Sequence, residues 1–301
     1  MKMAAPNISN PTQTGLLIDG KPVSKKLKDE LKSKVGAHLA KGLRKPGLAV
    51  LLIGENPASE IYVKNKILAC KHIGIESHLH RFGNEAKAKE ILECVEKLNA
   101  AEGIDGILVQ LPLPAHLPTE EILMAVSHKK DVDGLHPYNL GSLFAGKAAL
   151  QPCTPKGIMA LLEAYDVEIK GKNAVVIGRS NLVGKPIAAL LLQKDATVTS
   201  CHSRTHQLES VCRGADILVV AAGRREMVKA NWVKPGAVVI DVGTHHYEEN
   251  GESRICGDVA FAEVEKVAGM ITPVPGGVGK MTVAMLMANT VFAYEQALHL
   301  N

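Results

Sequence analysis

An α/β protein of two domains is what the chain predicts, and three observations predict it. The apolar run Ala174-Val175-Val176-Ile177 leads into the glycine turn Gly178-Arg179-Ser180 and then, past Gly184, into a helix. Strand-like and helix-like segments alternate between residues 48 and 109. Further apolar runs in the second half end on glycine, at Gly223 and Gly243. A chain of 301 residues is long enough for about two domains. The boundaries read as 12–150 for an N-terminal α/β domain and 151–280 for a doubly wound, Rossmann-like one. A long helix at 281–298 is expected to cross back onto the first domain.

Composition narrows the class. The hydrophobic fraction of 46% and charged fraction of 22% are those of a soluble α/β protein. Aromatics make up 3% with a single Trp232, which argues against a stacking platform for single-stranded nucleic acid. The net charge of +4 is small and spread along the chain. No apolar run approaches the ~20 residues of a membrane span. The leader 1–11 has no apolar core of the signal-peptide kind, and none of the six cysteines forms a Cys-x-x-Cys pair. A reduced, cytoplasmic setting is the expectation.

In the first half, Val23, Leu27, Leu31, Val35 and Leu39 recur every four residues, the apolar stripe of a Lys-rich helix expected to pack on a sheet. Strands are expected at 48–53, 76–81 and 106–109, with helices at 58–73 and 86–98 between them. On the first of those helices Ser59, Tyr62 and Lys66 share a face. Ser59 suits a helix cap as well as a ligand contact. A lysine beside a strand exit can supply positive charge, or a base if its pKa is lowered, and tyrosine can stack on a ring. A solvated Lys66 with a half-buried Tyr62 is the plain alternative. Gln110 stands at the next strand exit, and Pro112 and Pro114 bar a helix after it. In Asp131-Val132-Asp133-Gly134 the two carboxylates face opposite ways if the backbone is extended. Asp133 suits the amidine edge of a heterocycle or a turn cap. No ligand set with metal spacing accompanies it, so no metal is expected.

In the second half, Thr154 and Pro155 read as the cap and first position of a helix running to about 165. Cys153 has no evident base partner in the sequence. Strands are expected at 173–177, 197–200, 217–221 and 237–242, with a short one at 270–271. Gly178-x-Ser180-x-x-x-Gly184 departs from the usual Gly-x-Gly-x-x-Gly spacing, and Ser180 suits either a phosphate contact or a helix cap. At the end of the second strand, where NAD sites carry an acid, stand His202, Ser203 and Arg204. Together with Arg179 they suit a 2′-phosphate, hence NADP over NAD. Two surface basic residues are the plain alternative. Gly243 and Thr244 close the fourth strand. The loop Pro273-Val274-Pro275-Gly276-Gly277-Val278-Gly279 is first stiff and then flexible, suited to a flat ring.

Taken in order, six stretches resemble the bifunctional methylenetetrahydrofolate dehydrogenase/methenyltetrahydrofolate cyclohydrolase (FolD) family. They are 54–59 with Tyr62 and Lys66, 109–114, 130–134, 152–155, 178–186 and 272–279, and the likeness runs from about residue 15 to about 293. The resemblance implies a cytoplasmic homodimer that takes tetrahydrofolate derivatives, polyglutamylated ones among them, in a cleft between two domains, with NADP as cofactor. It implies Lys66 as the essential lysine, Gln110 as its partner, Tyr62 against the pterin and Asp133 on the pterin ring. Ser59, Pro112, Pro275, Gly276 and Gly279 would complete the folate site. Gly178, Arg179, Ser180, Ser203, Arg204, Gly243 and Thr244 would hold the cofactor. Lys280 departs from the family's usual proline. Two other readings stay open, a two-domain dehydrogenase of another substrate and an inactive binding protein. The first would not need the Tyr62–Lys66 helix and the Gln110 loop together.

Overall fold

The computed structural model describes residues 15–147, 150–249 and 251–300. The leader 1–11 lies outside them. The chain forms two compact units: a first of Lys25–Cys153 with 283–300, and a second of 15–24 with Thr154–Thr282.

The chain opens with β1 (Leu16–Leu17) and α1 (Gly20–Ala40). The first unit continues with β2 (Gly47–Ile53), α2 (Pro57–Ile73), β3 (Glu76–Phe82), α3 (Ala88–Ala100), β4 (Gly106–Val109), α4 (Thr119–Ala125) and α5 (Pro137–Phe144). Its strands are parallel in the order β3-β2-β4, so β2 is central, and all of its residues are buried. Ile91 and Val95 of α3 and Ile122 of α4 pack on Leu51, Ile53, Ile107 and Val109. Each such aliphatic side chain stabilises the fold by roughly 1.5–3 kcal/mol.

The N-cap of α2 is Asn56, whose Oδ1 accepts the amides of Ala58 and Ser59 at 2.9 and 3.2 Å. The cap reading of Ser59 is therefore corrected: it sits inside the first turn, buried. Gly74 ends α2 with φ +96°.

The second unit runs α6 (Cys153–Ala164), β5 (Asn173–Ile177), α7 (Gly184–Gln193), β6 (Thr197–Cys201), α8 (Leu208–Cys212), β7 (Ile217–Val220), β8 (Val238–Asp241), β9 (His245–Glu249), β10 (Glu252–Cys256), α9 (Phe261–Val264) and β11 (Met270–Ile271), and α10 (Val278–Ala297) begins in it and from residue 283 belongs to the first unit. Six parallel strands order as β1-β11-β8-β7-β5-β6, and β9 and β10 form a separate antiparallel hairpin. The connection from β5 goes outward to β6 and then crosses to β7, so the order reverses at β5. That is where doubly wound sheets open a crevice at the carboxyl ends of their strands.

Two expectations change here. The boundary at 12–150 puts residues 15–24 in the first domain, yet β1 pairs with β11 and lies at the edge of the second unit's sheet. Thr154 does not cap α6, which already begins at Cys153; its hydroxyl lies 3.0 Å from that of Thr282. Besides apolar residues such as Met281 and Met285, α10 buries Asn289, Thr290 and Glu295. Each of these three polar side chains is matched. Glu295 accepts from Lys34 at 2.7 Å and pairs with His38 at 2.8 Å, both on α1, while the Thr290 hydroxyl donates to the Leu286 carbonyl. Asn289 Nδ2 donates to the carbonyls of Val132 and Gln151 at 2.8 and 2.9 Å.

Candidate active site

In the first unit the candidate residues gather around one ion. Lys66 lies two turns along the face of α2 that carries Ser59 and Tyr62, and its Nζ donates to Gln110 Oε1 at 2.8 Å. Gln110 leaves β4 with its backbone amide on Leu51 O, and its Nε2 donates to Leu111 O at 2.7 Å. The side-chain amide is thus fixed with its oxygen toward the lysine. The 111–112 peptide bond is cis, as is 274–275.

Asp133 supplies the opposite charge. Its neighbour Asp131 is committed to structure, with Oδ1 accepting from Gly134 N and Oδ2 from His136 N and Asn139 Nδ2. Asp131 therefore takes the turn-holding role, and Asp133 lies near enough to Lys66 for its charge to act on the amine. Burial pushes the Lys66 amine below its ordinary pKa, with the charges of Asp133 and Cys153 opposing the shift. Burial also raises the Asp133 carboxyl, against the pull of Lys66; Asp131 adds to the rise and a hydrogen bond with Cys153 lessens it. A lysine poised in this way can hold or release a proton near neutrality better than a solvated one.

Cys153 and Asn289 join the site only through the fold. The Cys153 thiol donates to Val132 O at 3.2 Å, and Asn289 Nδ2 approaches that sulfur at 3.6 Å. They support the Asp133 loop from below. Only their distance in sequence hid this: Asn289 is 157 residues from Val132. Tyr62 remains 44% exposed, its ring free to meet a ligand.

In the second unit the candidates lie along the carboxyl ends of the strands. Register pairs Ile177 with Cys201 and with Val220, and Val220 with Asp241. Gly178–Ser180, His202–Arg204, Ala221–Gly223 and 242–244 thus exit at the same edge. Gly178 has φ +126°, and a Cβ there would stand 2.2 Å from Ala221 O; a Cβ on Gly184 would stand 2.2 Å from Gly178 O. Both glycines are required by this close approach, which forms a cradle of bare backbone before α7. Ser180 Oγ accepts from Val183 N and Gly184 N at 3.1 and 3.4 Å, so it ties the turn to the helix start. Arg179, Ser203 and Arg204 are exposed around the cradle. These residues fit a dinucleotide whose pyrophosphate meets the cradle and whose 2′-phosphate meets the arginines.

Pro275 and Gly276 lie in the loop after β11, and Gly279 in the first turn of α10. Gly20 N donates to Gly276 O at 3.0 Å, which anchors the loop. Among the described residues no group of three or more His, Cys, Asp or Glu could hold a metal ion, and no helix is long and apolar enough to cross a membrane.

Comparison with known families decides between the readings. Residues 18–133 match the model of the tetrahydrofolate dehydrogenase/cyclohydrolase catalytic domain, and 152–298 match that of its NAD(P)-binding domain. The chain belongs to the tetrahydrofolate dehydrogenase/cyclohydrolase family. The bifunctional protein FolD of Burkholderia pseudomallei (strain 668) is 52% identical over 284 residues, covering 94% of this chain and 98% of that one. The crystal structure of the bifunctional FolD of Campylobacter jejuni superposes with a TM-score of 0.89 at 46% identity, over 93% and 99% of the two chains. The Trypanosoma brucei family member, solved with NADP and an inhibitor, superposes at 0.92 with 37% identity, over 95% and 99%. In this family member both halves of the resemblance, folate-side and nucleotide-side, fall within matched segments.

Proposed function

We propose that the chain is a bifunctional enzyme that oxidises 5,10-methylenetetrahydrofolate to the 5,10-methenyl form with NADP and hydrolyses the methenyl form to 10-formyltetrahydrofolate. The observation that carries this reading is the pairing of Lys66 with Gln110 opposite Asp133, in a chain whose two halves both match the family.

NADP, when bound, supplies the acceptor for the hydride that leaves the one-carbon bridge. Gly178 and Gly184 shape the backbone cradle, and Arg179, Ser203 and Arg204 receive the 2′-phosphate. Tyr62 covers a face of the pterin, and Asp133 holds its amidine edge through two N–H donors. For oxidation the protein needs chiefly to align two rings. For hydrolysis, water adds to the methenyl carbon and one C–N bond breaks. One water proton is released and the other ends on the freed nitrogen. The Lys66 amine, oriented by Gln110, takes and returns the proton at Nζ. A cationic substrate beside it favours the neutral amine further.

The remaining expectations belong to the same reading. The enzyme works in the cytoplasm and supplies one-carbon units to purine, methionine and histidine synthesis. It takes polyglutamylated folates, for which the cations of Lys21 and Lys280 beside the 273–279 loop are suited. It acts as a homodimer, supported by the outer face of α2. There Ile61 and Leu68 are 60% and 55% exposed, beside the edge strand β3 and around a groove of about 340 Å³. Comparing turnover of methylenetetrahydrofolate with NADP and with NAD tests the cofactor assignment: a clear NADP preference supports it, and an equal or greater rate with NAD overturns it. A dimer that turns monomeric in Leu68→Glu supports the interface, and a wild-type monomer rejects it.

A further inference from the structure

Two buried carboxylates and a histidine, none of them used above, bind together the exits of β7 and β8. Asp258 is fully buried. Its Oδ2 accepts from Ala222 N at 2.7 Å and Gly223 N at 2.9 Å, the two residues through which the chain leaves β7. Its Oδ1 lies 2.7 Å from His245 Nε2, which must carry the proton because an ionised carboxylate only accepts. The backbone amide of Asp258 donates to Asp241 Oδ1 at 2.9 Å, and that same oxygen accepts from Gly243 N at 2.9 Å. Gly243 has no room for a side chain, since a Cβ would stand 2.3 Å from Asp258 N.

The bonds therefore converge on three backbone amides, those of Ala222, Gly223 and Gly243, and on the side chain of His245 at the start of β9. Three of these lie on the edge where the dinucleotide cradle opens. All the donors on Oδ2 belong to the β7 exit, whereas the side-chain donor on Oδ1 comes from His245, whose ring is 22% exposed. Removing that ring leaves a buried charge with one oxygen short of its donor. Such a group relaxes by shifting toward another donor, which weakens its hold on Ala222 and Gly223.

We propose that His245, acting through Asp258, is a positioning residue for the dinucleotide: it holds the β7 and β8 exits at the spacing the cofactor requires. The inference rests on the NADP reading of this edge. Neither residue touches the reacting atoms, so the effect falls on cofactor binding and not on the folate chemistry.

The test is calorimetric titration of NADP into wild-type protein, His245→Leu and His245→Gln, with thermal melting of each and the dehydrogenase KM for NADP beside kcat. The leucine variant is expected to bind NADP roughly tenfold more weakly, the lower end of what a hydrogen bond to a charged group is worth. KM should rise with little change in kcat, and the glutamine variant, which keeps an N–H donor, should recover most of the affinity. Wild-type affinity in a folded leucine variant overturns the inference. If the leucine variant fails to fold, His245→Ala, which also removes the donor to Asp258 Oδ1 but adds no bulk, decides in its place: a loss of roughly tenfold supports the role and wild-type affinity overturns it. Failure of the wild-type protein to bind NADP overturns the site reading itself, and the inference with it.

Discussion

Replacing Lys66 with methionine isolates the hydrolytic step. The two side chains are similar in length, so methionine fills much of the same space on α2 but has no proton to exchange. Gln110 keeps its bond to Leu111 O and loses only the contact from Nζ, so the β4 exit stays in place. Positioned acid–base catalysis contributes about 10²–10⁴-fold. At about 1.4 kcal/mol per factor of ten, the loss amounts to roughly 3–5 kcal/mol of barrier. The assay follows the methenyl chromophore: Lys66→Met should bind folate, oxidise the methylene form and accumulate methenyl product that the wild-type protein consumes. Stability adds an independent sign. A lysine whose folded pKa lies below 10.5 makes the fold less stable at low pH, and this loss is recovered as pH rises through that pKa. Relative to wild type, Lys66→Met should gain most at low pH and lose that gain as pH rises through the folded lysine pKa toward 10.5, against a constant cost from the Gln110 oxygen left without its donor. Hydrolysis by a folded Lys66→Met within tenfold of wild type would refute the role.

Gln110→Glu puts a carboxylate about 3 Å from Nζ, which favours the ammonium form; the acid limb of the hydrolysis rate should move to higher pH, and an unmoved limb would mean that Lys66 is not the titrating group. Arg204→Ala, with Arg179→Ala beside it, should each raise KM for NADP about ten- to a hundredfold and leave KM for NAD nearly unchanged, as expected for a lost charge-assisted bond of about 1.5–3 kcal/mol; steady-state kinetics with both cofactors read this. Asn289→Ala removes the donor to two buried carbonyls, so it should cost about 1–3 kcal/mol in urea unfolding, with the midpoint falling and the slope unchanged.

The sequence foretold the parts of the fold that depend on local pattern. The strands at 106–109 and 270–271 are where apolar runs placed them, and the glycine turn at 178–184 has the close approach that its spacing implied. What escaped depends on distant partners. Leu16 and Leu17 become a strand only by pairing with residues 270 and 271. The β9–β10 hairpin is polar and largely exposed, so it has no apolar alternation; its one local signal was the Asn250-Gly251 dipeptide. At the site, helical spacing brought out Ser59, Tyr62 and Lys66. Spacing alone could not show that Asn56 caps the helix, or that Asp131 and Asp133 divide into a turn holder and a partner for Lys66. Cys153, His245, Asp258 and Asn289 were equally hidden, because their work is done through contacts set by the tertiary fold.

The account stands most directly on one progress curve: purified protein with 5,10-methylenetetrahydrofolate and NADP, followed by absorbance for both NADPH and the methenyl form. The account predicts steady NADPH production with little methenyl accumulation, because the second activity removes it. NADPH accompanied by an equal, persistent amount of methenyl product would contradict the bifunctional claim, and no NADPH from folded protein would contradict the whole assignment.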